Sequence, residues 1–281
     1  MTLPPTRAGG LLDLRFATDH GGVTRLAERH QRFPLHVTAA MYLDPGLPDM
    51  AFAYVQNPSG ALFGDDRLRI SVTLEEGARV HLTTTSATKI HRTASGPARQ
   101  TTDIRLGPGS FLEYLPDPII PQGGSAYEQD TIVRVDPNSV AILGEIIAPG
   151  RLARDEVFEF DSLFLRTRIE LGGEEICTDV LDLKPSHGFP GRRGIFGGHR
   201  YVATFYVICP SANAISMADR LDIIARDGAE TFSAAAELPD GIGAFVRILA
   251  ANSSTARHTM NCLWNTARGE LLGHSAVAIR K

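Results

Sequence analysis

The sequence predicts a mainly β protein that ends in two helices. Three observations carry this. From Gly10 to Cys209 short runs alternate apolar and polar residues, as half-solvated strands do. Glycine, proline, asparagine and aspartate break those runs roughly every eight to twelve residues. Beyond residue 210 the apolar spacing becomes helical.

The first strands are predicted at Leu11 to Ala17, Val23 to His30, Leu35 to Met41 and Met50 to Gln56. Arg67 to Leu74 shows the logic: Leu68, Ile70, Val72 and Leu74 share one face, and Arg67, Arg69, Ser71 and Thr73 the other. Glu76-Gly77 then turns the chain into Ala78 to Thr85. Gln100 to Leu106 and Phe111 to Leu115 flank Gly107-Pro108-Gly109; Thr131 to Val135 and Val140 to Ile147 flank Asp136-Pro137-Asn138. Val157 to Phe160 follows, then Phe164 to Leu171 and Glu175 to Leu183 around Gly172-Gly173, and last Tyr201 to Ile208. A strand, an acid-glycine turn and a second strand recur without an exact repeat. That periodicity suits a β-helical or two-sheet stack as well as a barrel.

Ser211 is a candidate N-cap for a helix carrying Met217, Leu221, Ile224 and Ala225, and Gly228 can end it. After a strand at Ala244 to Leu249, Ser253 or Ser254 can cap a second helix. Its stripe of Ala256, Met260, Leu263, Trp264, Ala267 and Leu271 is read as a packing face. The 281 residues are taken as one domain, an all-β body over 10–209 with two helices and a strand over 210–281 packed on it.

Composition excludes several classes. Apolar residues are 43% and charged residues 21%, enough for a large core, and the formal charge of -4 leaves no basic footprint for nucleic acid. Cys177, Cys209 and Cys262 are an odd count without CxxC spacing, which fits a reducing cytoplasm better than a disulfide framework. Neither a signal-peptide pattern nor a membrane-spanning apolar run is present.

The chemistry-bearing motifs are mostly negative. There is no G-x-S-x-G elbow, and Cys177 and Cys209 lie in strand-like runs. The nine histidines form no HxH, HxxH or H-E-x-x-H, and the helices are expected to hold no histidine in chelating spacing with a second ligand. His81 and His91 read as strand or surface histidines. Asp65, Asp66, Glu113, Glu145, Asp155 and Glu156 offer carboxylates for a glycosidase pair, though one tryptophan makes a poor carbohydrate platform. The glycine-rich segment Gly188 to Gly198 lacks a Walker ending, and Pro190 removes an N–H donor; it reads as a loop that orders against a partner or faces solvent.

The stretch from Gly60 to Thr93 is the most distinctive, with a glycine-acid turn and an uncharged hydroxyl run closed by Lys89 and Arg92. Gly60, Gly64 and Asp65, then Leu82, Thr83, Thr84, Ala87, Thr88, Lys89 and Arg92, resemble the glycine-rich turn and the Leu-Thr-Thr block of the UreD (UreH) urease accessory protein family. Further blocks lie in register: Leu112, Glu113, Leu115, Pro116 and Ile119; Glu145, Gly150, Arg151, Glu156 and Phe158; and Trp264, Arg268, Leu272 and Gly273. Four ordered blocks span nearly the whole chain. Thr85-Ser86, His91 and Tyr114 depart from the pattern, which has Gln-Ala, tyrosine and tryptophan at those places, and Ile279-Arg280 stands where the family has Pro-Arg-x-Trp.

The resemblance implies a β-helix-like stack of many short strands with about two helices near the C-terminus, and no catalytic turnover. It implies binding to a UreF-type accessory protein, to a UreG-type GTPase through that protein, and to apo-urease subunits, with no nucleic acid and no membrane. No cofactor is expected to be tightly bound. Ni²⁺ is expected only in transit, through an internal polar tunnel, past Asp65, Glu145, Glu156, Thr83 and Thr84 as weak oxygen donors. Gly60, Gly64, Lys89, Arg92 and Arg151 are expected to support that motif or face a partner. A β-helical carbohydrate-active enzyme and a β-sandwich binding module are the competing readings.

Overall fold

The computed structural model describes residues 9–188, 195–212, 214–227 and 230–279. Its first strands are β1 Gly9–Thr18, β2 Thr24–Arg32, β3 His36–Val37, β4 Ala51–Gln56, β5 Arg67–Leu74 and β6 Arg79–Thr84. β7 Thr88–Ile90, β8 Ala98–Leu106, β9 Phe111–Tyr114, β10 Ile119–Pro121, β11 Ala126–Val135 and β12 Val140–Ile147 follow. Then come β13 Ser162–Leu171, β14 Glu174–Leu183, β15 Tyr201–Ile208, α1 Ala214–Arg226, β16 Thr231–Glu237, β17 Gly243–Ala250 and α2 Ser253–Leu272.

The open choice between stack and barrel resolves as a β-solenoid of about 4 turns. Each turn lays one strand in each of two facing sheets: β4 and β5, β6 and β8, β9 and β11, β12 and β13. The strands of successive turns pair in parallel, so Arg67, Arg99, Glu128 and Phe164 stand in one ladder. Ala51, Val80, Leu112 and Ala141 stand in another, opposite it. A short third side links Leu62, Ile90 and Pro121. At the corners the turns rest on each other, as where Gly77 N–H donates to the Pro108 carbonyl at 2.9 Å. Gly77 and Gly109 adopt φ of 70° and 64° there, which glycine tolerates without a Cβ clash.

Period-two sequence fixes which way each strand faces. Leu68, Ile70, Val72 and Leu74 on β5 are buried between the sheets, and Arg67 and Arg69 point outward. The outer face of the first sheet is held by ion pairs across turns: Arg99 with Glu128, Arg134 with Asp103 and Glu170, and Arg166 and Arg168 both with Asp130. Cross-strand pairs of this kind stabilise a solvated sheet by a few tenths to about 1 kcal/mol each. The second sheet continues into antiparallel β15, β17 and β16, and its outer face is covered by α1 and α2. The order is therefore sheet, sheet, helices, with one apolar core in each gap.

Four sequence-based expectations change. Val157 to Phe160 is not a strand: Phe158 takes φ of 56° and its N–H closes the corner on the Pro149 carbonyl at 2.7 Å. Its apolar character serves packing of Phe158 against Phe160 and Phe196. Only His36 and Val37 of Leu35 to Met41 join a strand, with Met41 bridging to Phe52. The alanine-rich β16 was not expected; pairing with β17, Thr231 opposite Ala250, overrides its weak strand propensity. α2 is capped by Asn252, not by Ser253 or Ser254, because the Asn252 side chain accepts the Thr255 N–H at 2.9 Å. The expected helix end at Gly228 and most of the glycine-rich segment lie outside the described residues.

Candidate functional site

The Gly60 to Thr93 stretch runs from a corner at Gly60 to Asp66 through β5, β6 and β7. Gly60 and Asp65 have φ of 79° and 64°, and the backbone reverses over Phe63 to Asp66. It is Asp66 that caps the turn, its carboxylate accepting the Phe63 N–H at 2.8 Å. Asp65 lies against Gly96, where a Cβ would stand 2.8 Å from Asp65 Oδ1, so glycine at 96 makes room for this carboxylate.

The threonine run binds one turn to the next. Thr83 Oγ1 donates to the Leu115 carbonyl at 2.6 Å, Thr84 Oγ1 accepts the Asp117 N–H at 2.8 Å, and Thr93 Oγ1 accepts the Ala126 N–H at 2.8 Å. Hydroxyls suit this place because each satisfies a backbone group of the neighbouring turn that no ladder partner reaches.

Between the two sheets lies a cavity whose empty volume is about 1020 Å³, its solvent-open part included. Exposed Gly60, Thr85, Ser86 and Lys89 surround its mouth. Farther in, the lining is mixed: Thr84, Gln100, Thr131, Gln129, Glu145 and Thr167, with Asp117 and Tyr114, are set among Leu35, Val55, Leu68, Ile70, Ile119 and Leu143 of the apolar core. Glu145 is the titratable group of the inner end. Burial pushes its carboxyl up to about 7, against the opposing effects of the Gln129 hydrogen bond at 2.5 Å and of Arg247. A carboxyl at that value passes between neutral donor and anionic acceptor near neutral pH.

Tyr206 closes the inner end. Its hydroxyl donates to Asp179 Oδ2 at 2.5 Å, and Arg247 Nη2 donates to both oxygens of the same carboxylate at 2.7 and 2.9 Å. Arg247 in turn lines a second, apolar hollow among Leu181, Leu183, Val202, Phe232 and Leu249. The Tyr206–Asp179–Arg247 bridge is thus the polar wall between the two spaces.

Of the acids and hydroxyls singled out in the sequence, the cavity brings together Glu145 and Thr84. Asp65, Thr83 and Glu156 are not on its lining. Glu156 is gripped by a forked ion pair with Arg151 and accepts the Gly123 N–H at 3.2 Å, and Arg151 holds its carboxyl below the usual carboxylate value. Gly150 beside it has φ of 143° and no room for a Cβ, which would meet the Glu156 carbonyl at 2.6 Å. Gly64 faces Ser95 and Gly96. Lys89 sits at the mouth and Arg92 packs over Gly124; among the described residues neither forms an ion pair.

Sequence reasoning missed Gln100, Gln129, Thr131 and Thr167. Each sits on an inward face where the alternation predicts an apolar residue, and that interruption was the available signal. It also missed Asp117, which pairs with Arg257 of α2 at 3.2 Å. A second buried group lies on the opposite side of the second sheet. His81 and Glu113 are register partners joined Nδ1 to Oε2 at 2.7 Å. Arg268 of α2 approaches Glu113 Oε1 with its Nε at 3.3 Å and pairs with Asp44. Trp264 packs on the His81 ring, 5.3 Å between centroids. This group ties α2 to the solenoid.

Among the described residues no set of three or more His, Cys, Asp and Glu gathers to hold a metal ion, and no helix is long and apolar enough to cross a membrane. The competing glycosidase acids are scattered: Glu113 is fully buried against His81 and Arg268, Asp66 caps a turn, and Glu156 is paired.

Comparison with known proteins converges on one family. The family model described as UreD urease accessory protein matches residues 8–281. The chain is 31% identical over 272 residues to the urease accessory protein UreD of Haloarcula marismortui, covering 97% of this chain and 90% of that protein. It is 34% identical over 281 residues to UreD 2 of Streptomyces griseus subsp. griseus, covering 97% and 93%. With UreD of Mycolicibacterium gilvum the identity is 31% over 268 residues, covering 95% and 97%.

Proposed function

The chain belongs to the UreD urease accessory protein family, and on that premise we propose that it is a non-catalytic scaffold that conveys Ni²⁺ towards urease through its solenoid. In this reading it binds a UreF-type accessory protein and apo-urease, and meets a UreG-type GTPase through the former.

The observation that supports this reading is the cavity between the sheets, where hydroxyl, amide and carboxyl groups interrupt an otherwise apolar wall and Glu145 stands at the inner end. A solenoid core filled by apolar side chains would be more stable than one lined by glutamine, threonine and glutamate. Keeping these polar groups within an apolar wall serves passage rather than folding. Carboxylate, hydroxyl and amide oxygens bind a borderline cation such as Ni²⁺ less tightly than a His/Cys cage, so the ion moves on. Thr84 and Glu145 are the residues of the path on this reading, joined by Asp117, Gln129 and Thr131. Asp65 and Glu156 belong to the corners that shape the mouth and the neighbouring turn. Exposed Ile215 and Ile223 on α1 support a docking role, since apolar side chains 60% and 68% exposed gain free energy when a partner covers them.

The test is reconstitution from apo-urease, UreF-type and UreG-type proteins and Ni²⁺, with nickel per urease measured directly. The expected result is a requirement for this chain in stoichiometric amount, together with co-elution with apo-urease. Full nickel loading in its absence would overturn the proposal, as would turnover of many ureases per chain.

A further inference from the structure

α2 has two unlike faces. Its buried face carries Ala256, Met260, Leu263, Trp264 and Ala267, which pack on the second sheet. On the other face stand His258, exposed, and Cys262, half-buried. They are four residues apart, the spacing that places two side chains on adjacent turns of one helix face. Contrary to the sequence-based expectation, one histidine is therefore in chelating spacing with a second ligand: His258 Nε2 lies 3.6 Å from Cys262 Sγ.

We propose that His258 and Cys262 form a two-donor site for a thiophilic divalent cation of the Zn²⁺ class on the solvent face of α2. The bite distance carries the argument. With metal–sulfur near 2.3 Å and metal–nitrogen near 2.0–2.1 Å, donors at a tetrahedral angle stand about 3.5 Å apart. The observed separation matches that without any movement of the helix.

The other thiols and several other histidines are committed elsewhere. Cys209, directly after β15, is fully buried, and burial pushes its thiol up to about 11. Cys177 lies in β14, where burial, then Asp179 and Glu175, raise its thiol. His81 spends its Nδ1 on Glu113, and His36 meets Gln31. Among the described residues only two protein donors are supplied, so two tetrahedral positions go to water or to a donor from another molecule, and the cation exchanges readily. The adjacent Arg257 reaches Asp117 on the cavity lining, so the pair sits one residue along the helix from a group that touches that space. The inference stands whether or not the cavity carries nickel.

Tag-free, reduced full-length protein titrated with Cd²⁺ alone tests it, read by thiolate-to-cadmium charge-transfer absorption. One equivalent is expected to develop the band and Zn²⁺ to displace it. Cys262→Ser is expected to abolish the band, and His258→Gln to weaken the midpoint at least tenfold. Cys177→Ser is expected to change neither. A band that survives in Cys262→Ser, or an unchanged midpoint in His258→Gln, would overturn the proposal. Because His258 is exposed and outside the packed stripe, His258→Gln reports even if Cys262→Ser perturbs the helix.

Discussion

Gln129 and Glu145 meet inside the solenoid, amide Nε2 to carboxylate Oε1, at 2.5 Å. A glutamate normally titrates near 4.3, whereas burial raises this one to about 7. Between those values the native state holds a proton that the unfolded chain has released. The resulting stabilisation is complete below about pH 4.3 and is lost as pH rises to about 7. Glu145→Gln removes that dependence. The variant is expected to match the wild type in urea unfolding near pH 4.5 and to exceed it above pH 7, by up to about 3 kcal/mol. Nickel loading of urease is expected to fall in the same variant. A gain in stability joined to a loss of transfer distinguishes a residue kept for passage from one kept for folding, and equal stability at both pH values would refute the burial argument.

The Arg268 pairs predict the opposite sign. Arg268 and Glu113 are both fully buried, and Asp44 is 7% exposed. Arg268→Met leaves two buried carboxylates without their cation, which costs about 3–5 kcal/mol. Adding Glu113→Gln is expected to recover part of that loss, because one of the two stranded charges is then gone. Denaturant midpoints of the two single variants and the double variant give the coupling directly. Strict additivity would mean that Arg268 acts through Asp44 or its packing on Trp264 rather than through Glu113.

Asp65 tests whether charge or backbone geometry matters at the corner. With φ of 64° it occupies the left-handed region, where alanine is strained and glycine is not. Asp65→Gly is expected to be neutral or stabilising by up to about 1 kcal/mol, and Asp65→Ala destabilising by a similar amount. Asp65→Asn keeps the conformation and removes the charge. Unchanged nickel loading in Asp65→Asn would make this a turn residue alone, whereas a fall without loss of stability would assign the charge to the path.

The solenoid was legible wherever one physical signal governed a segment. Period-two alternation located β5 and β13 within a few residues, and the glycine-rich corners marked where one turn passes to the next. β16 was not legible because its pairing with β17 comes from tertiary contact, not from its alanines. The cavity was hardest. Glu145 came from the family-like blocks, but Gln129 and Thr131 became meaningful only when β11 was seen to face β12 across the gap. Asp117 and Arg257 lie far apart in the chain, and no local spacing could have joined them.

Thr131 gives the most direct test of the space itself. It is 6% exposed and on the lining, in the strand that also carries Gln129. Thr131→Val keeps nearly the same shape and removes one oxygen; since other donors remain along the path, nickel loading is expected to fall only modestly. Thr131→Phe directs an aromatic ring into the same space. Overpacking a filled core costs about 1–3 kcal/mol, but a ring that enters an existing cavity displaces little, so the expected loss of stability is at the low end. Nickel per urease is then expected to drop severalfold while co-elution with apo-urease is unchanged. If Thr131→Phe folds, binds its partners and still loads urease fully, the ion does not travel between the sheets, and the polar groups in the wall need another explanation.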